Sequence, residues 1–140
     1  MDRTQSPMNT FVSYALAAAH RRINTSLNAR LRKHGIQIEA WRLLETLDSG
    51  QRFTMGELAE IVLMNPPTLT KLVDRMVSDG LVHRQVAQND HRQINVLPTA
   101  LGRKRMMQIR SEIEDEDATI LEQLGESDSQ NLIRLLREIM

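Results

Sequence analysis

A two-faced helix near the middle of the chain constrains its fold more than any other feature. Five apolar residues recur at intervals of three and four, which places them on one face of an α-helix. They are Leu69, Leu72, Val73, Met76 and Val77. Asn65 is a strong N-cap residue, and Pro66 fits the first helical position, where its missing N–H costs nothing. The pattern predicts a helix that starts at Pro66 and packs this face on a core.

The opposite face of the same helix carries hydroxyls and cations without exposed aliphatic bulk. Its residues are Pro67, Lys71, Asp74, Arg75 and Ser78, with Thr68 and Thr70 on the flanks. Such a face suits the major groove of DNA, where base edges present hydrogen-bond donors and acceptors. An ordinary amphipathic surface helix shows the same pattern, so by itself this face leaves both interpretations open.

A shorter helix is predicted just before this one. Thr54 and Glu57 have the spacing of a capping box, so a helix can begin at Met55. It would end at a tight break over residues 63–65. Two helices joined by a turn of a few residues form a helix-turn-helix unit.

A β-hairpin is predicted after the second helix. Gly80 predicts a helix stop by residue type, and residues 81–86 and 93–97 have partial alternation and β-branched content. The polar segment between them is rich in turn formers. The order helix, turn, helix, hairpin is that of a winged helix-turn-helix, an architecture that binds DNA.

The charge distribution agrees with a DNA-binding segment. The whole chain is formally neutral, with 18 cations and 18 anions. Residues 61–110 hold eight cations against three anions, whereas residues 111–140 hold nine carboxylates against two arginines. We therefore expect DNA to meet the basic segment only.

At this point the residues resemble those of the MarR family of transcriptional regulators, over essentially the whole chain. The segments that carry the resemblance are Leu58-Ala59-Glu60, residues 68–76, residues 79–84, Asp90-His91-Arg92, and Thr99 with Gly102, preceded by residues 34–44. Leu63 departs from the family pattern, since the turn often has glycine there. The resemblance implies a mostly α fold with a small β-hairpin wing, in which N- and C-terminal helices form a dimer.

The resemblance also implies the DNA contacts. Thr68, Thr70, Lys71 and Arg75 would lie in or beside the major groove, together with Asn65 and Pro67 at the helix start. Arg92 would enter the minor groove, held by Asp90, with His91 and Gln93 beside it, and Arg84 would contact phosphate. A guanidinium suits a narrow, A·T-rich minor groove because that groove concentrates negative potential. The alternative for Asp90 and Arg92 is a solvated turn pair.

The cations Arg103-Lys104-Arg105 follow the hairpin and have two interpretations of equal weight. They clamp the DNA backbone, or they form a solvated helix face, as blocks of charge often do.

Both ends of the chain are predicted to be helical and to hold two copies together. Residues 11–31 carry a wide apolar stripe, and aliphatic residues recur at helical spacing from 109 to 139. Ser127 and Gln130 have capping-box spacing, which predicts the start of the last helix. The resulting division is 1–34 for a dimerisation helix, 35–98 for the DNA-binding lobe and 99–140 for further dimerisation helices. The alternative is that these helices cover a monomeric core.

A small-molecule site follows only from the resemblance. It implies an effector pocket for a small phenolic or carboxylate compound, with Tyr14, His20, Trp41 and Arg42 as candidate lining residues. From residue type alone, Trp41 fits a core position better than a ligand contact.

Several functional classes are disfavoured by what the chain contains. It has no cysteine, which excludes a thiol switch and a thiolate metal site, and the four histidines lack metal-ligand spacing. No catalytic or cofactor fingerprint is present, so we expect neither an enzyme nor a bound cofactor or metal. Signal-like and membrane-spanning runs are also missing, which predicts a cytoplasmic protein without membrane contact. The prediction is a homodimeric repressor of a pseudo-palindromic DNA site, relieved by an effector; the alternative is a winged-helix module that binds protein.

Overall fold

The computed structural model describes residues 6–85 and 93–140. Its helices are α1 (Val12–Leu31), α2 (Ile38–Asp48), α3 (Met55–Val62), α4 (Pro66–Ser78), α5 (Ala100–Leu124) and α6 (Glu126–Arg137). Two short strands, β1 (Val82–Arg84) and β2 (Val96–Pro98), lie between α4 and α5. Short 3-10 turns occupy Pro7–Thr10 and Arg32–His34. The mostly α fold with a small hairpin is confirmed.

The contacts divide the chain into two compact units. The first, called here the reading unit, is Leu31–Ser111, and the second, the flanking unit, joins Met1–Arg30 to Glu112–Met140. The division into residues 1–34, 35–98 and 99–140 stays a prediction.

The reading unit has a continuous apolar core in which α2, α3, α4 and the hairpin pack together. Its buried members include Leu43, Leu44, Leu47, Leu58, Val62, Leu69, Leu72, Val73, Met76, Val82, Val96 and Met106. Four of the five residues in the predicted stripe of α4 are buried, and Val77 is half-buried against them. The face that the sequence assigned to the core is therefore confirmed.

Local hydrogen bonds fix the start of α3. The Glu57 N–H donates to the Thr54 hydroxyl oxygen at 3.2 Å, and the Thr54 N–H donates to Glu57 Oε1 at 3.1 Å. The predicted capping box is present. The backbone N–H of Thr54, followed by its side chain, lowers the pKa of the Glu57 carboxyl despite some desolvation.

The turn between α3 and α4 passes through a left-handed residue. Leu63 has φ 62° and ψ 45°, a conformation in which the Cβ of an L-residue crowds the backbone. Its N–H donates to the Glu60 carbonyl, and the Met64 N–H donates to the Ala59 carbonyl, which closes the helix. Leu63 is 74% exposed, so little burial of its side chain offsets the strain of its backbone.

The hairpin is shorter than the sequence predicts, and its second strand is displaced. β1 and β2 are antiparallel, with Val82 opposite Pro98 and Arg84 opposite Val96. The predicted strand over residues 93–97 is wrong at both ends, because Gln93 forms an isolated bridge with Thr54 instead of continuing the ladder to β1. Pro98 fits the strand end because proline tolerates positions where no N–H is needed.

A close approach of two backbones holds the hairpin to α5. The Thr99 hydroxyl donates to the Gly80 carbonyl at 2.5 Å and accepts from the Gly102 N–H at 3.0 Å. A Cβ on Gly102 would collide with the backbone carbonyl of Leu81. This contact explains why residue 102 is a glycine, which the spacing of the sequence motif does not.

The flanking unit contains α1, α6 and the carboxyl-terminal part of α5. Glu116 is buried, and one of its carboxylate oxygens accepts from Ser26 Oγ and from Arg30 Nε, both at 2.8 Å. The predicted cap at Ser127 is wrong, because α6 starts at Glu126 after Gly125, whose φ is 84°. Glycine tolerates that conformation, so the turn there determines the helix start more strongly than the capping spacing does.

Candidate nucleic-acid interface

The amino terminus of α4 is built as its sequence predicts. Asn65 Oδ1 accepts from the Thr68 N–H at 2.9 Å, and Pro66 occupies the first helical position. The cap leaves other first-turn groups at the positive end of the helix dipole, an environment that favours anions. Asn65 therefore acts as a helix cap and is exposed, and its contact with DNA stays a prediction.

The polar face of α4 is exposed along its length. Pro67, Thr68, Thr70, Lys71 and Arg75 are all exposed, as predicted for a surface that meets a ligand. The Thr70 hydroxyl donates to the Pro66 carbonyl at 3.1 Å. Its hydrogen is thus committed to the helix, so the oxygen is what remains to accept from a base or solvent.

Arg75 has a partner that the sequence does not reveal. Its Nη2 donates to Gln37 Oε1 at 3.4 Å, which is a long hydrogen bond. Gln37 precedes α2 and makes no side-chain cap bond to that helix. The amide therefore biases the position of the guanidinium without neutralising its charge.

Arg84 on β1 pairs with a residue on the polar face of α4, called here the recognition face. Its Nη2 lies 2.5 Å from Asp74 Oδ1, and the side chains are 58% and 60% exposed. Sequence reasoning placed Arg84 on phosphate and gave Asp74 no partner, because ten residues separate the two and only the packing of β1 on α4 brings them together.

Besides Arg84, only Gln93 among the predicted wing contacts lies within the described residues. It is half-buried, and its backbone forms the bridge to Thr54. The next residue, Ile94, donates its N–H to the Phe53 carbonyl at 2.8 Å. Asp90, His91 and Arg92 lie outside the described residues, and their roles stay predictions.

The cations after the hairpin brace the reading unit. Arg103 Nε donates to Asp48 Oδ1 at 3.0 Å, and Arg105 Nη1 donates to the His34 carbonyl at 3.2 Å. Arg103 is still exposed, so the solvated face fits this residue, and contact of these cations with the DNA backbone stays a prediction. Lys104, between them, is exposed.

The local excess of cations therefore overstates the charge that can face DNA. Arg110 makes a two-pronged contact with Glu45, with both N–O distances at 2.7 Å. Asp48 and Glu45, the partners of Arg103 and Arg110, precede the window over which the charge was counted. The cations of α4 itself, Lys71 and Arg75, are left as the exposed positive centres of the recognition face.

The comparison with protein families decides the identity of this arrangement. A model described as the MarR family matches residues 34–93, which contain the helix-turn-helix and the start of the hairpin. Residues 34–93 of this chain match the MarR family. The chain is a DNA-binding transcriptional repressor and not an enzyme, as predicted, and the protein-binding module is not favoured.

Known proteins match this chain over most of its length. It is 26% identical over 133 residues to the homoprotocatechuate degradative operon repressor of Escherichia coli, covering 95% of this chain and 90% of that protein. NadR, solved in complex with 4-hydroxyphenylacetate, is 27% identical, with a TM-score of 0.78 and 92% coverage of both chains. CouR, solved on a 23-mer DNA duplex, shares the fold with a TM-score of 0.84 at 20% identity and 94% coverage of both chains.

The candidate effector residues lie on two helices. Tyr14 and His20 are exposed on α1, in the flanking unit. Trp41 and Arg42 are half-buried on α2, in the reading unit. Trp41 packs against the core, and its Nε1 donates to Glu45 Oε1 at 3.0 Å. The indole donor is thus already satisfied within the protein, while the pocket itself stays a prediction.

Among residues 6–85 and 93–140, none of the helices has an apolar stretch suited to crossing a bilayer. The same residues contain no group of three or more histidines or carboxylates arranged to hold a metal ion.

Proposed function

We propose that this MarR-family repressor acts as a homodimer on a pseudo-palindromic DNA site and that each protomer inserts α4 into a major groove. The observation that carries the proposal is the capped helix whose buried apolar face fixes it to a core while its polar face stays exposed. A major groove about 12 Å wide admits one α-helix. Palindromic sites match the two-fold symmetry of a dimer.

Within this proposal, the residues of α4 divide into two roles. Lys71 and Arg75 contact guanine edges or phosphates, because both are exposed cations on the polar face. Thr68 and Thr70 supply short polar contacts beside them, and Pro67 adds an apolar one. Asn65 sets the approach of the helix through its cap.

The wing supplies a second set of contacts. Arg92 enters the adjacent minor groove with Asp90 beside it, and His91 and Gln93 flank it. Arg84 reaches phosphate from the base of the hairpin. The support for this part is the family pattern and the place of the hairpin next to α4, since Asp90, His91 and Arg92 lie outside the described residues.

The flanking unit supports the proposal of a homodimer. Large apolar side chains are exposed along its helices: Phe11, Val12, Leu16, Leu121, Leu124, Leu132, Ile133, Leu135 and Ile139. So many large apolar side chains left exposed on these helices favour an interaction surface. A second copy of the same chain satisfies it with closed symmetry.

We further propose that a small phenolic compound or carboxylate releases the repressor from DNA in the cytoplasm. The support comes from relatives, one named for the homoprotocatechuate operon and one solved with 4-hydroxyphenylacetate. Tyr14, His20, Trp41 and Arg42 are the residues of this chain that we assign to such a ligand. The ligand acts by binding one conformation of the dimer better than the other.

Selection of bound sequences from a random duplex pool tests the proposal. An inverted repeat with half-sites about one helical turn apart is the expected result. Arg75→Ala should then weaken binding by about 1 to 3 kcal/mol and relax the preference at one position of each half-site. Lys104→Ala, which removes an exposed cation from α5, is the control and should leave that preference unchanged. Absence of any enriched sequence at low salt would contradict the proposal and return the protein-binding module to consideration.

A further inference from the structure

An acidic residue stands in the middle of the surface that meets DNA. Asp74 lies on the exposed face of α4, three residues after Lys71 and directly before Arg75. A carboxylate in this position is unfavourable near phosphates, because like charges repel. Its presence on the recognition face calls for a partner both in the free protein and on DNA.

In the free protein that partner is Arg84. The Nη2 to Oδ1 distance of 2.5 Å is that of a close, charge-assisted contact, which neutralises both groups. Both side chains are more than half exposed, so the pair is screened by water and opens at little cost. The arginine is thus held close to the DNA surface without presenting a net positive charge to it.

On DNA, Asp74 and Arg84 can each take a new partner, so that both charges keep a hydrogen bond. A carboxylate in the major groove can accept a hydrogen bond from the exocyclic amino group of cytosine. When it does so, Arg84 is released to bond a phosphate. Where no such amino group is within reach, breaking the pair leaves Asp74 without a donor beside the DNA backbone.

We propose that Asp74 is a specificity-determining residue that exchanges Arg84 for a cytosine amino group at the operator. This inference rests on the proposed placement of α4 in the major groove. It makes Arg84 a phosphate contact that forms fully only on the correct sequence. The pair therefore raises discrimination between the operator and random DNA.

The test compares wild type, Asp74→Asn and Asp79→Asn in the same duplex selection. Asp79 ends α4 and is exposed, so its substitution removes an equal charge from the same helix as a matched control. Wild type and Asp79→Asn should enrich a C·G pair at one position of each half-site. Asp74→Asn should lose that preference in favour of an A·T pair, because an asparagine side chain pairs with the adenine edge. Its affinity ratio of the wild-type operator to a random duplex should fall about tenfold, the size expected for one lost base contact.

A second pair of variants tests the role of Arg84. In the Asp74→Asn protein, Arg84 is no longer neutralised, so affinity for a random-sequence duplex should rise and become more dependent on salt. In an Arg84→Ala background, Asp74→Asn relieves repulsion alone, so the rise in random-duplex affinity should be smaller and should add no phosphate contact to the salt dependence. A rise of the same size and salt dependence without Arg84 would overturn the exchange in favour of simple repulsion by Asp74.

The outcomes separate this inference from the function on which it rests. If wild type selects no site, the proposed mode of DNA binding fails, and the inference fails with it. If wild type selects an inverted repeat and Asp74→Asn selects the same repeat with the same affinity ratio, only the inference is overturned. Thermal unfolding of each variant shows whether a loss of binding reflects a loss of fold.

Discussion

The reading unit and the flanking unit use similar apolar residues in opposite ways. Leu69 in the reading unit is fully buried, whereas Leu135 in the flanking unit is 51% exposed. The reading unit closes its core within one chain, while the flanking unit leaves much of its aliphatic surface in solvent. The stability of the first is therefore a property of the single chain, whereas our proposal makes the stability of the second depend on another copy.

The same leucine-to-alanine substitution, made once in each unit, should give the largest difference between them. Leu69→Ala should cost about 2 to 5 kcal/mol of unfolding free energy, because it leaves a cavity in a packed core. Leu135→Ala should cost far less in a dilute monomer, but it should lower the melting temperature at high protein concentration, where association contributes. Thermal unfolding over a hundredfold range of concentration distinguishes the two. Equal, concentration-independent losses would break the comparison.

Substitution of Gly102 by alanine tests how closely the hairpin packs on α5. Gly102→Ala should destabilise the protein by about 1 to 3 kcal/mol, because the added carbon meets the Leu81 carbonyl and backbone must move. The control is Gly56→Ala in α3, where the new methyl meets open space. That change should stabilise by up to about 1 kcal/mol through helix propensity. A denaturant titration of both variants measures the two signs, and a harmless Gly102→Ala would contradict the close approach.

The turn before α4 offers a smaller effect of the opposite direction. Leu63→Gly should stabilise the reading unit by about 1 kcal/mol, since glycine adopts the left-handed conformation without strain. Little apolar burial is lost with the exposed leucine. Leu63→Ala keeps the strain and should give no such gain. Unfolding by denaturant compares them, and a destabilised Leu63→Gly protein would show that the exposed side chain has a role in packing.

The smallest expected effect is the pH dependence of the α3 cap. The pKa of Glu57 is lower in the folded protein than in the unfolded chain. The stabilisation from its charged form is therefore fully present above the unfolded pKa and is lost as pH falls through the folded pKa. The stability difference between wild type and Glu57→Gln should shrink over that acidic window. Glu60→Gln on the same helix lacks the capping role, and the same pH dependence there would contradict the assignment.

The sequence predicts well what depends on neighbouring residues. The Thr54 capping box, the Asn65 cap and the buried stripe of α4 all follow from spacings within one or two helical turns, and the structure confirms them. The predicted start of α6 is wrong because the turn at Gly125 competes with a local capping signal, and spacing alone does not show which of the two determines the helix start.

Partners distant in the chain were beyond such reasoning. The pairs of Asp48 with Arg103 and of Glu45 with Arg110 join residues 55 and 65 positions apart, so only the packing of the reading unit creates them. The charge of residues 61–110, taken from the sequence, includes these arginines as if they were free to face DNA. The ion pair of Asp74 with Arg84 escaped notice for the same reason, although both residues had been singled out.

The anchors of the wing consist of main-chain atoms, and this has an evolutionary consequence. The Gln85 N–H donates to the Asn95 carbonyl at 2.7 Å, and the Ile94 N–H donates to the Phe53 carbonyl at 2.8 Å. Every amino acid except proline supplies these groups. The residues at these anchors can therefore be exchanged, except for proline at the donor positions, while the same bonds persist. Under our proposal that the wing contacts DNA, descendants of one such repressor can acquire new operators without losing the main-chain bonds at the base of the wing.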